Sequence, residues 1–369
     1  MKKSNSFFGL AMLLVAFALF SVPQTAAGKQ NVKNVILMIG DGMGVGHVSS
    51  LIIENGYSPI NMERAQAVGL VRTNSANNRV TDSAASGTAY STGHKTNNSY
   101  VGLDTAANRL ENIVEKAERA GMGTGIVVTC YLQHATPATF YGHVKSRYRL
   151  EELSEQFAVS GVDVAMGSGY DYFARRKDGR DILKEMSEKG YRVVGSIDEL
   201  DGVQEGRSLV VYDYGKDAMP LISAGRGDYL PRATAKSMEI LGNTFRKGFF
   251  LMVEGSQIDY AAHDNDARKI YEEMNDFDMA VGEAFDYADA HPGTLVVVLA
   301  DHETGGLSIA SKKADFTKSE SGIDYRFGSR SHTGTLVPMF AYGTGAENFS
   351  RVMDNTEVSH TIQRLLGFK

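Results

Sequence analysis

Among its 369 residues the chain has a single cysteine, Cys130, so no disulfide can close within it even in an oxidising compartment. Cys130 sits in the apolar run G-I-V-V-T-C-Y and reads as a buried, inert thiol. A strong excess of charge is also missing. The net charge of −6 is mildly acidic and argues against nucleic acid as a partner. The sequence has no internal repeat and no long low-complexity tract. Nor does it have a run long enough to span a bilayer: the sixteen apolar residues from Phe7 to Val22 fall short of the roughly 20 that a spanning helix needs. Lys2 and Lys3 precede that run, and it ends in S-V-P-Q-T-A-A, with small residues at Thr25 and Ala27. This is the pattern of a secretory signal over 1–27, removed to leave no stable membrane span. No cysteine lies near the cleavage point, so a lipid anchor is not expected.

What is present is an ordinary globular composition, 43% hydrophobic and 22% charged, in a chain long enough for a large core. Continuous apolar runs at 34–40, 125–131, 249–255 and 294–300 predict strands buried on both faces, with 337–343 a weaker fifth. Helical spacing lies between them. Leu110, Ile113, Val114 and Ala117 share one face, as do Met238, Leu241 and Phe245, and Ile270, Met274, Phe277 and Val281. Alternating strands and helices predict an α/β fold with a mostly parallel central sheet and helices on both faces. Residues 163–230 break the rhythm with scattered Gly, Tyr and charge, and are expected to form an elaboration beside the sheet of a single catalytic domain over 28–369.

Ligands of open α/β sheets bind beyond the carboxyl ends of the strands. Here those ends carry acids and histidines: Asp41 after the first run, Glu254 at the end of 249–255, and Asp301-His302 after 294–300. One acid after a strand is usually a turn residue. Three alike call for another explanation. In G-S-Q-I-D-Y-A-A-H, Asp259 and His263 are four apart, on one face of a helix, a spacing that suits two ligands of one zinc. With His332 in R-S-H-T-G, a multinuclear metal site is the better reading. Imidazole and carboxylate suit zinc, whereas an oxygen set from Asp, Glu and Thr suits magnesium. Asp82 and Ser83 stand at the head of V-T-D-S-A-A-S-G-T-A-Y-S-T-G. There Asp82 can cap a helix whose N-terminus places the Ser83 hydroxyl where an anion is favoured.

These residues resemble the alkaline phosphatases, especially their shorter secreted bacterial members. The resemblance runs from about Asn34 to Gly343. It is carried by V-T-D-S-A-A-S-G-T-A, H-A-T-P-A (134–138), H-V-K-S-R (143–147), V-E-G-S-Q-I-D (253–259), A-D-H-E-T-G-G (300–306) and S-H-T-G (331–334). It implies hydrolysis of phosphate monoesters at alkaline pH through a phosphoserine at Ser83, and a periplasmic location. It also implies two Zn2+, one held by Asp259, His263 and His332 and one by Asp41, Asp301 and His302 with Ser83. A third ion, Mg2+, would be shared by Asp41, Thr136 and Glu254, with His134 its neighbour. Arg147 would grip two phosphate oxygens, a bidentate task unsuited to Lys. Three divalent ions and Arg147 against four carboxylates leave a positive site that matches a dianionic monoester better than a diester.

His134 stands where some enterobacterial members have aspartate, and Tyr260 where they have lysine. Only 29 residues separate His302 from His332, so a long insertion is missing and a more open active site is expected. Relatives are commonly homodimers. Histidines 47, 94, 143, 291 and 360 match no ligand position and are expected to be structural or superficial. Two rival readings are a phosphodiesterase of the same superfamily and a secreted metal-binding protein without turnover. A sulfatase is disfavoured, because neither Cys130 nor Ser83 lies in a C/S-x-P-x-R context.

Overall fold

A computed structural model describes residues 31–312 and 322–368; the secretory signal expected over 1–27 lies outside them. The strands, in chain order, are β1 (Asn34–Gly40), β2 (Ala67–Arg72), β3 (Gly123–Tyr131), β4 (Val164–Ser168), β5 (Arg192–Val194), β6 (Ser208–Val211) and β7 (Phe249–Gly255). They continue with β8 (Thr294–Leu299), β9 (Glu303–Thr304), β10 (Leu307–Ser311), β11 (Ile323–Phe327), β12 (His332–Thr333), β13 (Val337–Gly343) and β14 (Val352–Asp354). Ten of them form one sheet in the order β14-β2-β13-β8-β1-β7-β3-β4-β6-β5.

The expected apolar runs occupy its centre, because unbroken Val, Ile, Leu and Phe are stable only where both faces are covered. β1 pairs in parallel with β7 and β8, and β3 in parallel with β7. The weaker fifth run is also a strand, but β13 runs antiparallel to both β8 and β2. β2 alternates buried with exposed or half-buried residues, the pattern of a strand near the sheet's edge.

The elaboration expected over 163–230 stands at one edge and builds strands onto it: β4, β6 and β5 continue the sheet in parallel. Each has five residues or fewer, too short for periodicity to show. Helices cover both faces. Ile270, Met274, Phe277 and Val281 are fully buried from the helix Ala267–Ala290, and Met238 and Leu241 from Tyr229–Thr244. Ile113, Val114 and Ala117 are buried as expected, but Asn112 caps that helix at Ile113, leaving Leu110 in the preceding turn. Between β8 and β13 lie two small antiparallel pairs, β9 with β12 and β10 with β11.

Candidate active site and metal centre

β8, β1, β7 and β3 are adjacent and parallel, so their carboxyl ends open at one place. β1 runs into Asp41, β7 carries Glu254, β8 delivers Asp301 and His302, and β3 leads through Cys130 to His134 and Thr136. Asp41, Glu254, Asp301, His302 and Thr136 are all wholly buried. The turn after Asp41 needs glycine. Gly42 has φ +75° and donates its N–H to Asp301 Oδ1 at 3.1 Å, and a Cβ there would meet Asp259 Oδ1 and Thr304 Oγ1 at 2.9 Å.

The helix Ser83–Thr92 is buried along its whole length, which explains its small residues. Asp82 caps it by accepting from the Ala85 N–H at 2.9 Å, and its other oxygen accepts from the Ser99 N–H at 2.8 Å. Ser83 is the first helical residue, and its Oγ lies 3.2 Å from His302 Nε2. That nitrogen is also 3.1 Å from Asp301 Oδ2 and 3.4 Å from Asp41 Oδ1. Asp41, Asp301 and His302 therefore converge, with the serine beside them.

A second group is built on Asp259, His302 and His332. The i,i+4 spacing on the helix Gln257–His263 brings His263 Nε2 to 3.2 Å from Asp259 Oδ2, and His332 Nε2 stands 3.8 Å from Asp259 Oδ1. The other ring nitrogens are occupied. His263 Nδ1 donates to the Arg330 carbonyl at 2.7 Å and His332 Nδ1 to the Thr81 carbonyl at 3.0 Å. The Thr304 hydroxyl donates to Asp259 Oδ1 at 2.5 Å, so it accepts from His302 Nδ1 at 3.1 Å. Each of the three imidazoles is thereby held with its Nε2 toward the carboxylates, the arrangement of metal-ligating histidine; without an ion, His263 Nε2 carries a proton and donates it to Asp259 Oδ2. Thr304 is the orienting residue that sequence reasoning missed, although it lies inside the A-D-H-E-T-G-G motif.

The charges are unbalanced. Burial, then the charges of Asp301, Asp259 and Glu254, push the Asp41 carboxyl well above its ordinary range. Burial and Asp301 raise Glu254 to about 7. Burial works against the Asp259 carboxylate as well, but the His263 hydrogen bond and the charges of His302 and His332 outweigh it and hold the group low. The same hydrogen bond lifts His263 to about 9, while burial and His302 push His332 down to about 4. Asp41 Oδ1, Glu254 Oε1 and Asp301 Oδ2 are buried without any hydrogen-bond partner, a costly state for an acid. Crowded carboxylates with unpartnered oxygens, flanked by oriented imidazoles, fit divalent cations. Thr136 Oγ1 lies 3.4 Å from Asp41 Oδ2, on the Glu254 side of the cluster.

A cleft of about 710 Å³ gives access, lined among others by Ser83, Arg147, Tyr148, Asp259, Tyr260 and His332. Arg147 lies 3.5 Å from Asp82 and donates to His134 Nε2 at 3.3 Å. Tyr148 and Tyr260 stand exposed at the rim. The five other histidines are elsewhere. His47 Nδ1 accepts from the Gly44 N–H, His143 binds the Gly102 carbonyl, His291 stacks on Tyr287, and His94 meets His360 edge to face.

The family model for alkaline phosphatase matches residues 32–324. The chain belongs to the alkaline phosphatase family. Alkaline phosphatase 4 of Bacillus subtilis is 32% identical over 92% of this chain and 89% of that protein. The solved alkaline phosphatase of the Antarctic bacterium TAB5 is 35% identical, with a TM-score of 0.85, over 92% of this chain and 99% of that one. A mutant of that enzyme, with one histidine changed to aspartate, is 34% identical over the same shares, with a TM-score of 0.85, and has Mg bound in its M3 site. Metal dependence goes with the alkaline phosphatase family, and the donor groups described above are where this member would meet it.

Proposed function

We propose that the protein hydrolyses phosphate monoesters, with Ser83 as nucleophile and Arg147 as the phosphate grip. The observation that carries this is the position of Ser83 Oγ, at a buried helix N-terminus, 3.2 Å from His302 Nε2 and across one cleft from Arg147. Helix N–H groups favour an anion there. Arg147 would hold two non-bridging oxygens and orient phosphorus toward Ser83. Asp82 would fix both partners, capping the helix on one side and pairing with Arg147 on the other. Ser83 Oγ forms the bond to phosphorus as the bond to the alcohol oxygen breaks. Water then cleaves the Ser83 ester, releasing inorganic phosphate.

Asp259, His263 and His332 would hold one zinc, and Asp41, Asp301 and His302 a second beside Ser83. A third ion would sit among Asp41, Thr136 and Glu254, and an all-oxygen set would suit magnesium. Bound divalent ions would make the serine alkoxide and a hydroxide accessible near neutral pH and offset charge on the leaving oxygen. Among the described residues no helix is long and apolar enough to cross a membrane; the leader read in the sequence would carry the enzyme to the periplasm.

The test is turnover of a chromogenic monoester at alkaline pH by zinc- and magnesium-loaded protein, beside equally loaded Ser83→Ala. The expected loss in kcat is on the order of 10³-fold or more. Retention of activity in the variant would remove the serine mechanism, and faster turnover of a matched diester would favour the phosphodiesterase reading.

A further inference from the structure

β3 brings one more donor to the Glu254 side of the site. The Cys130 thiol donates to Glu254 Oε2 at 3.6 Å and lies 3.5 Å from the Tyr131 carbonyl. Cys130, His134 and Glu254 each present a donor atom within 4.8 Å of the other two. All three side chains are buried, Cys130 and Glu254 completely. Glu254 Oε1 and His134 Nδ1 have no hydrogen-bond partner. A thiolate at about 2.3 Å and a carboxylate oxygen at about 2.1 Å from one tetrahedral zinc stand about 3.6 Å apart, the separation that Cys130 and Glu254 already have.

We propose that Cys130 is a ligand of the third ion, which makes that position a sulfur–nitrogen–oxygen site formed by Cys130, His134 and Glu254. The proposal rests on the three-ion reading of the active site and changes what the third position selects. Magnesium asks for oxygen ligands in near-octahedral array and keeps its waters. A thiolate with an imidazole selects a thiophilic ion, zinc or cobalt(II), instead. The ion displaces the thiol proton, which leaves to solvent, and takes His134 through Nδ1 once the ring proton has moved from Nδ1 to Nε2, so the hydrogen bond that Nε2 accepts from Arg147 is given up. The thiol, unremarkable in sequence because it sits inside an apolar strand, becomes the residue that sets metal identity.

Because Cys130 is the chain's only cysteine, any thiolate signal belongs to it. Metal-free full-length protein is titrated with cobalt(II) and followed by absorption, with bound metal counted by elemental analysis. The expected result is three equivalents bound, one of them bringing an intense near-ultraviolet thiolate-to-cobalt charge-transfer band. Cys130→Ala loses the band, keeps the weaker visible bands of the other two ions, and shifts the zinc-over-magnesium preference of the third position by at least about tenfold toward magnesium. Three equivalents without a charge-transfer band in the wild-type protein would overturn the proposal and leave the three-ion reading intact. Saturation at two equivalents would overturn both. The wild-type result decides the matter even if the variant folds poorly.

Discussion

Two buried clusters of acids in this protein have been treated in opposite ways. Glu273 and Asp276 are buried beside Arg226, whose guanidinium donates to both, at 2.8 Å to Asp276, while Glu273 also accepts from the Ile222 N–H at 2.8 Å. Asp41, Glu254 and Asp301 are more deeply buried still, yet three of their oxygens have no partner. The first cluster carries its own cation. The second is arranged for cations from outside, with imidazole Nε2 atoms aimed at the carboxylates by carbonyls and Thr304. The contrast separates a structural ion pair from a site, since burial and acidity are common to both and only the internal counter-charge differs.

Removing the external cations gives the largest expected effect. Exhaustive chelation should lower monoester turnover by on the order of 10³-fold or more and lower Tm, and both should return when zinc and magnesium are restored. Full activity in demonstrably metal-free protein would erase the distinction between the clusters.

Single substitutions should then act with opposite signs. Arg226→Ala leaves two buried carboxylates uncompensated and should cost roughly 3–5 kcal/mol of stability, read by chemical denaturation, with metal content unchanged. Asp41→Asn should raise the stability of metal-free protein, because it removes a carboxylate that burial and three neighbouring acids disfavour. The same change should shrink the metal-induced rise in Tm, since the ions beside Asp41 are lost and the one on Asp259, His263 and His332 is kept. A stabilised Arg226→Ala, or a destabilised metal-free Asp41→Asn, would show that the two clusters are balanced alike.

A third acid lies between these extremes and gives the smallest effect. Burial, then Asp163 and Glu115, raise the half-buried Glu118 to about 7 from its ordinary 4.5. The native state therefore keeps a proton that the unfolded chain has released, and stability from this group falls as pH rises from about 4.5 to about 7. Glu118→Gln should melt about 1–2 °C above the wild type at pH 8, a small gain because solvent screens the group. The difference should shrink as pH falls below 7; a gain that grows toward acid pH would mean that folding lowers the Glu118 pKa instead of raising it.

The centre of the fold was legible because β1, β7 and β8 are buried on both faces and so read as unbroken apolar runs. β4, β5 and β6 escaped notice because they are short and sit among glycines, tyrosines and charges, and only pairing with β3 and one another defines them. The acids and histidines at strand ends were legible individually, since a strand end fixes where its next residue goes. Their joint geometry was not, because which four strands lie side by side depends on sheet order. Thr304 and Cys130 were hidden for different reasons. The threonine acts only by holding other ligands, and the thiol lies at a position where an apolar side chain would fit the pattern equally well.

The mechanism turns on Ser83 carrying the phosphoryl group during turnover. The direct measurement is acid quenching of metal-loaded enzyme during monoester turnover, followed by mass spectrometry of the peptide spanning Ser83. A phosphate on Ser83 that appears only with substrate, and is absent when the Ser83→Ala variant is treated alike, is the predicted result. Unmodified Ser83 throughout active turnover under conditions that preserve phosphoserine would contradict it.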